Sequence, residues 1–290
     1  MRTTRDRVAP STRLATPADR AAIAEFCRAT WGPGSEDYIE HVLDDWMTRA
    51  DGALAVAEVD GRAAACCHVR LLSPREAFLA GMRVDPGRRR SGLSVALTEY
   101  CVRWAAERGR SIARVIIGWN NTAALGAIAR AGFSQTGSVT LWERDAVGTP
   151  ALPEGVTREL GRPLPGAPAG ALWAIGWMVR ELTDADIAER ARAGWALRSG
   201  DGLALLRPSD DYLWLAWLSG PAPARVLLAR AAVAAAAAAG RPRCRALLVS
   251  DHATDRALEA AGFARGLEYR VYSRRGAAPP FRTSTRTGAG

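Results

Sequence analysis

The chain of 290 residues contains no lysine: all 39 basic residues are arginine. It has three histidines, His41, His68 and His252, and five cysteines, Cys27, Cys66, Cys67, Cys101 and Cys244. No cysteine falls in a Cys-x-x-Cys or Cys/His ligand spacing, so no structural metal is expected. The cysteines read instead as small core residues of a reduced protein. No apolar run of about 18 residues stands clear of charge, so no membrane span is expected. The alanine stretch Ala231 to Gly240 is too short and too weakly apolar to insert and reads as a helix face. Residues Met1 to Arg7 lack the apolar core of a signal peptide, so the expected location is the cytoplasm. The formal net charge is +9, but the arginines are scattered, with no interleaved aromatics and no long basic block. Nucleic-acid binding is therefore not expected. The all-arginine, alanine-rich composition fits a GC-rich bacterial genome.

One short stretch stands out. Val84-Asp85-Pro86-Gly87-Arg88-Arg89-Arg90-Ser91-Gly92-Leu93-Ser94 follows an apolar run, Ala77 to Met82, that reads as a strand. It precedes Val95 to Ala106, whose apolar residues recur at helical spacing. The first amides of a helix have no internal partner, and the helix dipole adds partial positive charge there. Gly92 lets the backbone approach a ligand closely, and the arginines supply bidentate donors to phosphate. Strand, basic glycine-bearing turn and helix together make a cradle for a pyrophosphate.

A second segment repeats the strand-then-helix grammar. Ser111 to Trp119 reads as a buried strand and Asn120 to Phe133 as a helix, with Asn121 as N-cap and Gly132 as stop. Upstream, Arg13 to Asp19 reads as a strand running into a helix with Thr16 as N-cap and Pro17 at its first position. Residues Asp37 to Arg49 can form a second helix. Ala53–Val59, Gly61–Leu72 and Ala77–Val84 read as an antiparallel meander with turns at Asp60-Gly61 and near Ser73-Pro74. Phe133 to Arg144 supplies closing strands.

These motifs resemble those of the GCN5-related N-acetyltransferases (GNAT). Arg89-x-x-Gly92-x-Ser94, with Val84-x-Pro86 ahead of it, resembles that family's acyl-CoA loop, with Ser94 where Gly or Ala is usual. The strand–Asn121–helix–Gly132-Phe133 segment resembles its second motif. The resemblance covers residues 11 to 145. It implies an α/β (α+β) fold with a mixed, mostly antiparallel sheet flanked by helices. It also implies acetyl-CoA as cosubstrate and direct transfer to an amine in a ternary complex. Met82, Arg83, Val84, Arg89, Arg90, Ser91, Gly92, Leu93, Ser94, Asn121 and Ala124 are the implied cofactor-binding residues. Gly81 suits the strand bulge the family carries, and the Met82 amide is the implied donor to the thioester oxygen.

Two usual side chains are missing. Ile128 stands where relatives carry a tyrosine acid, and Ala80 where they carry a carboxylate. If the hairpin turns near Pro74, His68 lies across from Ala80 and can take the carboxylate's place as base. The same position also suits a packed imidazole, and a one-residue slip would turn it to the other face. Glu76 is a second candidate base. Trp31 and Tyr38 are candidate walls of the acceptor site.

The second half echoes the first. Strands are expected at Leu203–Leu206, Tyr212–Leu218, Arg245–Val249 and Leu267–Ser273, and helices at Pro223–Ala239 and Asp251–Ala261. Asp251 precedes Gly262-Phe263 at the spacing that separates Asn121 from Gly132-Phe133. At the loop position stands Ser219-Gly220-Pro221-Ala222-Pro223, whose prolines remove amide donors. The fold is thus expected twice, with the second copy degenerate. The expected layout is residues 1–10 disordered, 11–145 acetyltransferase domain, 146–170 Pro/Gly-rich linker, 171–275 degenerate domain and 276–290 disordered tail. The expected activity is N-acetylation of a small amine or amino acid by a monomer or homodimer, without metal, nucleic acid or membrane. A non-catalytic acyl-CoA-binding protein, a transferase for longer acyl groups and one for peptide N-termini are the alternatives.

Overall fold

The computed structural model describes residues 10–30, 36–148, 151–160, 164 and 166–276. The disordered segments expected at 1–10 and 276–290 lie outside these, apart from Pro10 and Gly276. The chain forms two compact units. Among the described residues, the first comprises those within 10–113, 126–133 and 273–276; the second comprises those within 114–125 and 134–272.

The first unit opens with β1 (Ser11–Leu14), α1 (Arg20–Arg28) and α2 (Ile39–Thr48). The meander follows as β2 (Gly52–Val59), β3 (Arg62–Leu71) and β4 (Glu76–Val84), and then α3 (Leu93–Ala106). Strands β1 to β4 pair in order, each antiparallel to the next. The β2–β3 turn falls on Asp60 and Gly61, both at positive φ, as the sequence predicts. One face of the sheet packs Leu54, Val56, Ala63 and Cys66 against Ile23, Phe26 and Cys27 of α1 and Ile39, Leu43 and Trp46 of α2. The buried side chains of α3 include Leu93, Leu97 and Cys101.

Next come β5 (Ile112–Gly118), α4 (Thr122–Arg130), β6 (Ser134–Asp145), β7 (Thr157–Arg158), β8 (Leu172–Ile175) and β9 (Met178–Glu181). They are followed by α5 (Asp184–Arg192), β10 (Ala196–Ser199), β11 (Gly202–Pro208) and β12 (Tyr212–Ser219). The series ends with α6 (Ala222–Ala238), β13 (Arg243–Val249), α7 (His252–Ala260) and β14 (Ala264–Arg275). From β10 onward the order repeats that from β2 to β6. The second unit's sheet runs β5-β14-β6-β13-β12-β11-β10-β7, with β8–β9 as a separate hairpin. Alanines 231, 232, 235 and 236 of α6 are buried in a core with Leu213, Leu215, Leu248 and Leu258, where small side chains let the helix lie close to the sheet.

The units do not divide at the expected linker. Strand β6 closes the first half of the sequence, yet it pairs with β13 in the second unit, from Asp145 opposite Arg243 to Val139 opposite Val249. Residues Ser273–Arg275 of β14 cluster with the first unit, where Arg274 donates to Glu99 and to the Ala131 carbonyl. Within the Pro/Gly-rich segment, Thr157–Arg158 pairs with β10 and Val156 enters the core, so apolar burial orders part of what composition marks as linker.

Candidate active site

Strand β4 carries the first feature of the site. Cys66 lies opposite Arg83, and His68 opposite Ala80, so Gly81 and Met82 together face Cys67. This is a β-bulge with Gly81 at φ +63°. The missing side chain is required by packing as well. A Cβ on Gly81 would stand 2.5 Å from two ring carbons of Trp46 and 3.3 Å from Ile39 Cδ1. Trp46 also stacks on His68, with ring centroids 4.4 Å apart and planes 8° apart, and meets Tyr38 edge-on at 6.0 Å.

The turn after β4 is ordered by its own side chains. Asp85 accepts from the Gly87 amide at 2.9 Å, and Ser91 Oγ donates to the Arg88 carbonyl at 2.5 Å. Arg88 pairs with Asp60 at 3.0 Å, and Arg89 Nη2 reaches the Thr30 carbonyl at 3.4 Å. Arg90 (φ +64°) and Gly92 (φ +88°) turn the chain into α3, which starts at Leu93 without a side-chain cap. Leu93 is buried and seats the helix, whereas residues 87–92 are exposed. A Cβ on Gly92 would have no atom within 4 Å, so the space before the helix is open. Uncapped amides, open approach and adjacent guanidiniums fit the two phosphates of a CoA. In the second unit, Asn121 Oδ1 accepts from the Ala124 amide at 3.2 Å and caps α4.

The candidate acid–base residues are differently placed. His68 is buried and opposite Ala80, the register the sequence predicts, but its Nε2 is buried without a hydrogen-bond partner. Burial, then Arg49 and Arg70, push its pKa down to about 4. Burial thus favours the neutral form of the imidazole at this position. Glu76 is buried at the start of β4, five residues from Gly81, or roughly 17 Å along an extended strand. Tyr38 stands at the start of α2 with half its surface exposed. Burial raises its phenol pKa, and Arg83, 5.6 Å from the ring centroid, opposes the rise. Ile128 is buried. Trp31 lies outside the described residues.

Sequence reasoning missed two residues here, Asp37 and Trp46. Asp37 is fully buried and holds Arg83 by two hydrogen bonds, Nε to Oδ2 at 2.6 Å and Nη2 to Oδ1 at 3.1 Å. The guanidinium of Arg83 is thus engaged with protein, whereas the expectation for this residue concerns its backbone. No local signal marks a pair separated by 46 positions.

The corresponding turn of the second unit is built otherwise. Only Gly220 and Pro221 separate β12 from α6, against the eight residues Asp85–Gly92 in the first unit. The bulge recurs, since Leu205 faces Trp217 while Leu206 faces Leu215. A Cβ on Gly220 would collide with Gly202 Cα. Arg225 donates to the Gly220 carbonyl and to Thr254 Oγ1, each at 2.7 Å. Prolines 221 and 223 bring no amides. Among the described residues there is no cluster of three or more potential metal ligands, and no helix is long and apolar enough to cross a membrane.

A bulged strand thus runs through a basic, glycine-closed turn into an uncapped helix within a mixed α/β fold. The sequence profile of the acetyltransferase (GNAT) family matches residues 20–133. Solved structures extend the likeness over both halves. A candidate acetyltransferase from Thermoplasma acidophilum is similar with TM-score 0.62 and 17% identity, covering 92% of this chain and 100% of that one. A GCN5-related N-acetyltransferase from Sphaerobacter thermophilus gives 0.59 and 20%, covering 94% and 97%. A tandem GNAT protein of the clavulanic acid biosynthesis pathway gives 0.54 and 13%, covering 93% and 99%. At these identities the likeness is one of fold. No curated protein matches the chain by sequence.

Proposed function

We propose that the protein transfers the acetyl group of acetyl-CoA to the amine of a small molecule or amino acid, directly in a ternary complex, using the first unit's loop. The observation that carries this reading is the uncapped start of α3 behind Gly92, flanked by exposed arginines and following a bulged strand. In this reading the backbone of Arg89 to Ser94 holds the pyrophosphate, helped by the Arg89 and Arg90 side chains. The Met82, Arg83 and Val84 backbone pairs with the extended pantetheine arm, as a ligand adds to a strand edge. Acetyl-CoA supplies a reactive thioester carbonyl, and the Met82 amide polarises it by donating a hydrogen bond. Tyr38 forms a wall of the acceptor site. His68 packs against Trp46, and the acceptor ammonium loses its proton to solvent.

The second unit binds no CoA in this reading, because its turn is short, proline-bearing and bridged by Arg225. One observation favours a second reading, a non-catalytic acyl-CoA-binding protein: Ala80 and the buried Ile128 offer no acid or base where relatives carry them.

The test is calorimetric titration of acetyl-CoA into the wild type and into Arg89→Ala/Gly92→Asp. The expected result is one site per chain, lost in the variant. No binding by the wild type removes the acetyltransferase reading, and two sites per chain refute the degenerate second copy. Turnover on a panel of amines, with acetyl-, propionyl- and succinyl-CoA in turn, then separates an enzyme from a binding protein and reads the acyl length.

A further inference from the structure

We infer that Asp37 is a positioning residue for the reaction, setting the geometry of the Met82 peptide through its grip on Arg83; this rests on the reading of Met82 given above. Asp37 lies just before α2, and its carboxylate has no exposed surface. Besides its two bonds to Arg83, Oδ1 accepts from the Ile39 amide at 3.2 Å, which ties the carboxylate to the start of α2. Arg83 Nη1 in turn donates to the Met82 carbonyl at 3.1 Å. One guanidinium therefore links the start of α2 to the peptide that follows Met82.

The arrangement matters because of what lies on the other side. The peptide preceding Met82 hangs on Gly81, a residue at positive φ with the widest backbone freedom of any amino acid. An amide so placed points in one direction only if both neighbours are fixed. The Trp46 ring lies against Gly81 on one side, and the Asp37–Arg83 pair holds the Met82 carbonyl on the other. A buried ion pair is weak evidence for stability, because well-packed apolar groups often serve as well. A planar two-point fork that fixes direction is what arginine adds over lysine. The pair thus orients the donor of the proposed site rather than merely bracing the fold.

The chain has four methionines, Met1, Met47, Met82 and Met178, so [15N]methionine labelling isolates the Met82 amide, assigned with Met82→Leu. Asp37→Asn keeps the shape and removes the charge. It is expected to shift the Met82 amide signal and to lower kcat about 10²-fold, as small misplacements of catalytic groups do. The calorimetric affinity for acetyl-CoA and its KM are expected to hold. Arg83→Lys keeps the charge, loses the fork and should lower kcat in the same way. It serves as the probe if Asp37→Asn does not fold. A double variant should be no slower than the slower single one, since the pair acts as a unit. If the wild type turns over amine and both single variants keep its kcat while only their melting temperature falls, the inference is overturned and the pair is a brace. If the wild type binds no acetyl-CoA, the proposed function falls, and this inference falls with it.

Discussion

Replacing Gly81 by alanine tests the geometry around the bulge most sharply. Two costs arise. Alanine at φ +63° carries about 1–2 kcal/mol of steric strain against the backbone. The new methyl would also stand 2.5 Å from the Trp46 ring, and such overpacking costs about 1–3 kcal/mol once neighbours move. Trp46 cannot yield freely, because its ring stacks on His68 and meets Tyr38 edge-on. The sum, about 2–5 kcal/mol, is a large share of a typical domain's stability. Hydrogen exchange of peptides spanning α2 and β4 reads it locally, and 3 kcal/mol corresponds to roughly 10²-fold faster exchange. Gly92→Ala is the internal control. Its φ is +88°, but no atom lies within 4 Å of the new methyl, so only the backbone cost of about 1–2 kcal/mol applies. Adding Trp46→Leu to Gly81→Ala should recover part of the loss. If Gly81→Ala costs no more than Gly92→Ala, Trp46 does not seal the bulge and the reasoning fails.

The remaining predictions concern titration and thiols. His68 has a pKa of about 4 in the folded protein against an ordinary 6.5, so folding favours its neutral form. This contribution, about 3 kcal/mol, is full above pH 6.5 and is lost as the pH falls toward 4. Acid unfolding followed by circular dichroism should show the loss, and His68→Leu should flatten it; an equally steep profile in the variant would refute the assignment. All five cysteines are buried. A hydrogen bond with Cys27 and burial push the Cys66 thiol up, one with Cys101 and burial push Cys67 up, and burial pushes Cys244 up to about 12. Native protein should therefore resist an aromatic disulfide reagent that titrates five thiols after unfolding, and rapid native reaction of any thiol would contradict this burial.

The parts of this protein legible in the sequence are those specified locally. The β2–β3 turn rests on Asp60-Gly61, and the register that sets His68 opposite Ala80 follows from the hairpin. Gly81 at the bulge and Gly92 at the start of α3 mark positions where positive φ is required. Short elements were not legible: β8, β9 and β10 have four residues each and no long alternation, and the polar, Arg- and Asp-rich α5 shows little apolar periodicity. The pairing of β6 with β13 was not legible either, because it joins residues as far apart as Asp145 and Arg243, 98 positions, and no local pattern selects that partner. The pairing of Asp37 with Arg83 was hidden for another reason. An acidic residue ahead of a helix reads as a dipole or capping residue, and only the folded chain brings the distant arginine to it.

The placement of β14 between β5 and β6 bears on how the chain is made. The amide of Trp119, just past β5, is bonded to the carbonyl of Glu268, which a ribosome adds long afterwards. Until then β5 and β6 each present an open edge to solvent, the kind of surface on which strands of other molecules assemble. Closing so long a loop is slow. Pairing of β14 with β5 and β6 therefore waits until residues 264–275 have been made, and in the interval before it those two strand edges most need protection.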